Sequence, residues 1–536
     1  MWSIGVAQAE ITYFEPGIGL MGWGTPAHVA HAVESHLYAR AFCFQVGVGQ
    51  PHFWIEADLC FIALAVWQEV FYRLRVSFPS LEPAQLMLTA NHTHAAPGGY
   101  SHYLFYHITT PGFHAGVFER IVSGIVEAAL QAHQHLQPAQ LYFAQKVFPP
   151  EVPIAFNRAI RAYLKNPTAS TDRPELAVDR TAYQITIAPS GHFINWMGTH
   201  TTSIQADCLF ISSDHKGYAA ELSAHEGKIG AFAQTTAGDV TPNFFSFPGV
   251  KVRRGPTPNP IENRQLLGRY QWEMAQQLAA QKEEPLPPVL RAWWRWVDFS
   301  AVEVEEPFTR GLGKGTTGEP AMGVAFLEGT DEGPGLPSEW VKVIAFVARI
   351  QGLRNQEVHG NKLLLIEGLS RKILGTTRWE TLPLPFFHRT ARYLHWLARQ
   401  NGKYIPLPLF PSVLPIQLWQ VGHIGILALP MEPTTMAGII LRERLVSLLA
   451  PIGIKLLIIQ GYSNGYAGYL TTPWEYQYQR YEGAHTLFGR FTLAAVEQVT
   501  THLLKGIGTS AAPPPYISVE HAKRILFTYE LAQGLG

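Results

Sequence analysis

The sequence predicts a mixed α/β (α+β) fold on three observations. Short β-rich runs alternate with helical segments over the first ~240 residues, and no internal repeat interrupts them. Apolar residues make up 47% of the 536, enough for one large core or about two to four ordinary domains. The three cysteines, Cys43, Cys60 and Cys208, lack CxxC spacing, which argues against a disulfide framework or a cysteine zinc site.

The elements follow in order. Ala39–Val48, Phe53–Ile62, Gln140–Val147 and Ala182–Ile187 have the composition of strands. Trp67–Arg75, Phe118–Leu136 and Lys216–His225 have helical spacing. The most apolar region, Ala41 to Trp67, is broken by Gln45, Gln50, His52, Glu56 and Asp58. It reads as two strands and a helix start, not a membrane span. A Pro-rich turn at Pro256–Pro260 leads into a helix over Arg264–Gln281, which Glu283–Pro288 ends. Arg291–Asp298 then alternates in part like a strand. Residues 311–338 are rich in Gly and Pro and are expected to form a long surface loop. Regular patterning resumes from Ile416 to Lys505, and an amphipathic segment, Val519–Leu531, closes the chain.

Forty-one basic residues balance 41 acidic ones, which removes the electrostatic basis for a nucleic-acid partner. Fourteen Trp, 21 Tyr and 29 Phe fit a large core, and they also fit an aromatic-lined lipid site. Met1-Trp2-Ser3-Ile4-Gly5 has no basic n-region followed by an apolar stretch. A cytoplasmic location is therefore expected, or a secreted or periplasmic one if the N-terminus is processed or truncated.

The densest chemical signal is Asn91-His92-Thr93-His94-Ala95-Ala96-Pro97-Gly98-Gly99. The apolar run Leu86-Met87-Leu88 feeds it. On a strand, residues i and i+2 share a face, so both imidazoles are expected to emerge together at a strand end. A metal site and a pair of hydrogen-bonded core histidines both fit this pattern. The chain's other such pair, His133 and His135, falls in a helical run and reads as solvated surface.

Four further segments carry unusual polar content: Ile194–Ser203, Ala237–Asn243, Pro430–Gly438 and Gly461–Thr472, the last continuing to Ala484. Together these segments resemble the neutral, non-lysosomal ceramidases. That family's His-Thr-His-Ser-Gly-Pro-Gly-Gly is similar to His92–Gly99, with Ala95-Ala96 for Ser-Gly. Its Asn-Arg-Ser-Pro-x-Ala-Tyr-Leu-x-Asn-Pro is similar to Asn157–Pro167. His200–Ser203, Ser212–Gly217, Gly238–Asn243 and Tyr469–Ala484 match its other motifs in order.

The resemblance implies one large zinc-hydrolase catalytic domain over residues 1–512 and a short tail over 513–536. Only residues 516–536 follow Pro515, so the family's C-terminal β-sandwich is expected to be absent. It implies an amidohydrolase of sphingolipid metabolism that cleaves ceramide, or a related N-acyl lipid, to a fatty acid and a sphingoid base or amine. It further implies zinc (Zn2+) held by His92, His200, Glu432 and Tyr469, with His94, Arg158 and Tyr481 around the scissile carbonyl. Transient contact with a membrane surface accompanies such a substrate, and no protein partner is expected. Zinc-bound water, its pKa lowered to ~7, is the expected nucleophile. Thr241 stands where the family has Ser, and Glu432 lies in Met-Glu-Pro rather than Gly-Glu-Phe. Two other readings remain at this stage: a zinc amidohydrolase for a smaller soluble N-acyl compound, and a catalytically silent zinc-containing binding protein.

Overall fold

The computed structural model describes residues 1–536 apart from 111, 282–283, 331, 334, 351–355, 376, 379–407, 527 and 531–536. Its largest sheet has eight strands: β1 (Trp2–Glu10), β2 (Tyr38–Val46), β3 (His52–Ala57), β4 (Leu86–Ala90), β5 (Gln137–Val147), β6 (Thr181–Ala188), β7 (Phe193–Trp196) and β8 (Gly230–Ala233). Their order is β8-β7-β6-β5-β1-β2-β3-β4. A second sheet of four strands runs β9 (Leu290–Asp298), β10 (Val413–Val421), β11 (Ile424–Ala428), β12 (Leu456–Gln460). Helices α1 (Leu64–Ser77) and α2 (Ala115–Gln134) back the first sheet, and α3 (Asp214–His225) and α4 (Pro260–Ala279) cover its other end. Helix α5 (Ser338–Ile350) follows the Gly-rich stretch, and α6 (Thr435–Leu449) and α7 (Thr492–Leu504) back the second sheet.

Period-2 alternation builds these layers. On β1, Trp2, Ile4 and Val6 face the second sheet, whereas Ala7 and Ala9 face the helices. Phe42, Phe44 and Trp54 meet Trp419, Ile424, Ile426 and Ile458 across the gap between sheets. The indoles of Trp54 and Trp196 both donate to Gln460 Oε1, at 3.0 and 2.8 Å, so this buried amide oxygen is satisfied from both sides. Small residues on the outer face let α2 approach closely. A Cβ on Gly5 would lie 1.9 Å from the Ala132 carbonyl oxygen, so no other residue fits there.

Most expected elements are present within a few residues. The strand expected over Phe53–Ile62 stops at Ala57, because Asp58 turns to join Glu56 on the buried Arg40 guanidinium, 2.9 Å from each. The stretch 311–338 is not the surface excursion expected. It contains short strands at Gly315–Thr316 and Ala321–Gly323, and it buries Thr317 and Glu332. The terminal helix covers Val519–Ile525, and residue 531 of the expected segment lies outside the described residues. Residues before that helix pack on α1, where Gln68 donates to the Pro514 carbonyl at 2.9 Å. His135 is exposed at the end of α2, and His133 packs its ring on Phe78. Among the described residues no helix is long and apolar enough to cross a membrane.

Several histidines lie deep in this core. His102 stacks on Phe118 and meets Phe113 edge-on, and burial, with His107 beside it, pushes its pKa down to about 3. An unfolded histidine titrates near ~6.5, so between roughly pH 6.5 and 3 the unfolded chain binds a proton that native His102 refuses. This contribution to stability is complete above pH ~6.5 and is lost as pH falls through that window. Comparing melting temperatures from pH 7.5 to 4, His102→Phe should show a shallower acid decline than the parent. Parallel curves would mean that His102 takes up its proton in the native state.

Candidate functional site

Four strand ends converge on one edge of the two sheets. Strand β4 stops at Ala90, and His92 then adopts a left-handed backbone, φ 74°. Such a conformation is unfavourable for a side-chain-bearing residue and persists only where its surroundings hold it. Here the His92 amide donates to Leu59 O at 2.9 Å, Asn91 Nδ2 to Asp58 at 2.6 Å, and Thr93 Oγ1 to Ser212 O at 2.8 Å. The two imidazoles therefore do meet, with Nε2 atoms 3.1 Å apart, but by a loop turn and not by strand alternation. That corrects the expected geometry while keeping both residues in the site.

His200 follows β7, and its amide donates to Val240 O at 3.0 Å. His200 Nδ1 faces the Ala237 carbonyl at 2.7 Å, and His92 Nδ1 faces Cys60 O at 2.5 Å. A carbonyl can only accept, so both Nδ1 atoms carry the proton and both Nε2 atoms present lone pairs. Those lone pairs converge on one oxygen: Glu432 Oε2 lies 3.7 Å from His92 Nε2 and 3.4 Å from His200 Nε2.

Glu432 follows β11 and stands directly opposite Tyr469 in a short parallel pair, Glu432–Pro433 with Tyr469–Leu470. In that ladder the amides of Glu432 and Thr434 donate to Gly468 O and Leu470 O. The residue between them has no amide partner to lose, which is why proline is tolerated at 433. Tyr462 donates to Glu432 Oε2 at 3.0 Å, and Tyr466 donates to Oε1. Burial alone would raise the Glu432 pKa, but the hydrogen bonds from Tyr466 and Tyr462 favour the ionised form, and the carboxyl stays well below the usual range. Burial dominates at His92, pushing it to about 3, and with His92 it holds His94 well below its ordinary value. His92 and His94 are held neutral and the glutamate ionised.

Arg158 forms the second half of the site. Its guanidinium is buried and donates to Glu332 at 2.9 Å, Glu482 at 3.2 Å, Gly238 O at 2.9 Å and the Tyr469 hydroxyl at 2.9 Å. Burial opposes its charge, but Tyr469, Glu332 and Glu482 outweigh that and raise its pKa. Tyr481 is half-buried, its ring 5.6 Å from that of Tyr469 and stacked on Phe326. Thr241 is buried, and its Oγ1 accepts from the Asn243 amide at 2.9 Å. Its own hydroxyl proton has no hydrogen-bond acceptor among the described residues.

Three residues here escaped the sequence reading. Glu332 is fully buried between Arg158, Thr202 Oγ1 (2.9 Å) and Asn243 Nδ2 (2.8 Å), although its Gly-rich surroundings looked like solvent-exposed loop. Glu482 sat in a motif already singled out, and only its ion pair gives it a role. Gly22 has φ 125°, and a Cβ there would lie 2.4 Å from His94 Cγ. Conversely, the Ser212–Gly217 motif braces the site rather than lining it. His215 Nε2 lies 3.0 Å from His200 O, and Lys216 Nζ donates to Met197 O and Ala233 O, both at 3.0 Å.

The donor set suits a cation. The ligand atoms of His92, His200 and Glu432 all lie within 4.8 Å of one another, with aligned lone pairs and one net negative charge. A second group, Cys60, His92 and His94, meets the same distance limit. Metal binding there would need a thiolate, and burial pushes the Cys60 thiol well up. The first group is the better metal cradle.

A family model described as neutral/alkaline non-lysosomal ceramidase, N-terminal, matches residues 2–359 and 395–498. The chain is 30% identical over 509 residues to a neutral ceramidase of Pseudomonas aeruginosa, covering 93% of this chain and 71% of that one. It is 30% identical over 542 residues to a neutral ceramidase of Mycobacterium tuberculosis, covering 95% and 77%. The fold is similar to the crystal structure of the Pseudomonas aeruginosa neutral ceramidase, with a TM-score of 0.77 at 28% identity, over 98% of this chain and 78% of that one. A structure described as ceramidase complexed with C2 gives a TM-score of 0.79 at 28% identity, with the same coverage.

Gly22→Ala is expected to displace His94 while leaving the His92–His200–Glu432 group in place. Turnover should fall by at least about tenfold, since a small misplacement of a group in a reactive site is costly. Metal content should be unchanged. Unaltered turnover would show that the His94 ring has room to move without consequence.

Proposed function

The chain belongs to the neutral/alkaline non-lysosomal ceramidase family, and on that premise we propose that it hydrolyses the amide bond of ceramide or a closely related N-acyl lipid. The products are a fatty acid and a sphingoid base or amine. The observation that carries the reading is the convergence of two imidazoles and a carboxylate beside a buried guanidinium.

His92, His200, Glu432 and Tyr469 would hold zinc. Two imidazoles and a carboxylate are a recognised catalytic set with a position left for water. Burial keeps the Tyr469 phenol protonated in the protein alone, while the Arg158 charge beside it favours the phenolate. When bound, zinc supplies a Lewis acid and lowers the pKa of a water in its open position to about 7.

The remaining groups act on the substrate. Arg158 and the Tyr481 hydroxyl would donate to the carbonyl oxygen as it gains charge. Glu332 and Glu482 keep the guanidinium aimed, because each takes a different N–H of its fork. His94, whose Nε2 lies 3.1 Å from His92 Nε2, would stand beside the same carbonyl. Thr241 would hold a hydrogen bond with its uncommitted hydroxyl proton, and the methyl that distinguishes it from serine restricts its rotation.

Hydrolysis of N-acylsphingosines should be lost on chelation and regained with zinc. His92→Ala and His200→Ala should lose the metal, and His133→Ala should keep both metal and activity. Full metal retention in the first two variants, or turnover indifferent to chelator, would sink the proposed site.

Thr241→Ser should change turnover by less than about tenfold, because the hydroxyl survives. Thr241→Ala should cost much more, by leaving neighbouring polar groups unpaired. An acyl-enzyme detected by mass spectrometry would instead make the hydroxyl the nucleophile.

A further inference from the structure

Helix α5 leaves an apolar face in solvent. Trp340, Val343, Phe346 and Ile350 are 64%, 54%, 60% and 69% exposed, and Leu336 just before the helix is 46% exposed. At 100° per residue the four helical side chains fall within an arc of about 120°, a stripe over three turns whose N-terminal end also carries the exposed Glu339. Val341 and Ala348, on the other side, are buried. Scattered surface hydrophobes are ordinary, but a contiguous stripe of this kind marks a contact.

Three observations say what covers it. Lys342 and Arg349 are exposed along one margin of the stripe, the arrangement of a helix that lies in a lipid interface. Next, the helix is tied to the catalytic edge. The Leu336 amide donates to Leu327 O at 2.8 Å, and Leu327 belongs to the turn Val324–Glu328, whose Phe326 stacks on Tyr481. Finally, Glu328 at the end of that turn pairs with Arg480 at 3.5 Å. Arg480 lines a hollow of about 450 Å³ with Arg158, Arg161 and Arg253. An apolar stripe and a cationic hollow thus flank one turn that touches the substrate-facing tyrosine.

We propose that α5 is an interfacial docking helix that seats the protein on an anionic lipid surface, with the apolar stripe inserted and the basic margin at the headgroups. The direction of substrate entry then follows. A long-chain N-acyl lipid would pass from the bilayer past Phe326 to Tyr481 without crossing water. The second half of this inference rests on the proposed substrate class, and the first half does not.

The test uses the full chain with vesicles of phosphatidylcholine, alone and with phosphatidylserine, and a double variant, Trp340→Ser with Phe346→Ser. Both positions are exposed and neither is a residue of the proposed site, so folding and turnover of a short-chain soluble N-acylsphingosine should be preserved. Vesicle binding should weaken by at least about tenfold, given the apolar area lost from the contact. Hydrolysis of long-chain ceramide embedded in vesicles should fall in step. Quenching of tryptophan fluorescence by brominated lipid should occur in the parent and be reduced in Trp340→Phe, and phosphatidylserine should strengthen binding. Absence of vesicle binding in the parent, or binding untouched by the double variant, overturns the proposal. So does a concentration-dependent dimer in the ultracentrifuge that the double variant abolishes, since the stripe would then face a second copy. Vesicle binding without cleavage of any N-acyl lipid keeps the docking helix and removes the substrate reading.

Discussion

The ionised carboxylate of Glu432, buried where water cannot solvate it, is the constraint around which the catalytic edge is arranged. An isolated buried charge is expensive, and the structure offsets it with two tyrosine hydroxyls that donate to its two oxygens, while the facing His92 and His200 imidazoles bring no proton to it. Those imidazoles in turn must expose lone pairs, and backbone carbonyls fix the tautomer that does so. Removal of any one partner would leave the carboxylate underpaired. The arrangement is a donor set of the kind that suits a cation, fixed by the protein's own contacts.

Arg158 poses the same problem with opposite sign and is solved in the same way. Four of its five N–H groups go to two carboxylates, a carbonyl and a phenol, so its direction is set and one N–H on the Glu332 arm is left over. Asp239 links the two halves. It accepts from the Thr435 amide at the start of α6 and from Asn157 Nδ2, next to Arg158. A carboxylate at a helix N-terminus is favourable in its own right, and here it also pins the two chain segments that carry Glu432 and Arg158.

Distance in sequence is no obstacle to this assembly because the sheets do the gathering. His92, His200, Glu432 and Tyr469 follow β4, β7, β11 and β12, and the tryptophans between the sheets hold those strands at fixed spacing. Lys216 bridges the ends of β7 and β8 through two carbonyls, and burial lowers its pKa to about 7, a cost accepted for a rigid floor beneath His200. The docking stripe on α5 belongs to the same logic. It is attached through the turn bearing Phe326, so the proposed surface contact is mechanically joined to Tyr481, the proposed carbonyl donor.

The sequence by itself determined the local elements and the chemistry available to the site. Period-2 runs marked the strands, Pro and Gly marked their ends, and the histidine, glutamate and tyrosine motifs supplied the residues that the structure gathers. What it could not determine was direction. His92 and His94 meet because His92 takes a left-handed backbone, and only the contacts of Leu59, Asp58 and Ser212 make that conformation favourable. Glu332 was illegible for a related reason: a lone acidic residue among glycines looks solvated until Arg158, Thr202 and Asn243, from three other segments, are seen to enclose it. Periodicity records which face a residue takes within its own element, whereas the burial of a charge depends on partners hundreds of residues away, and those exist only once the sheets have packed.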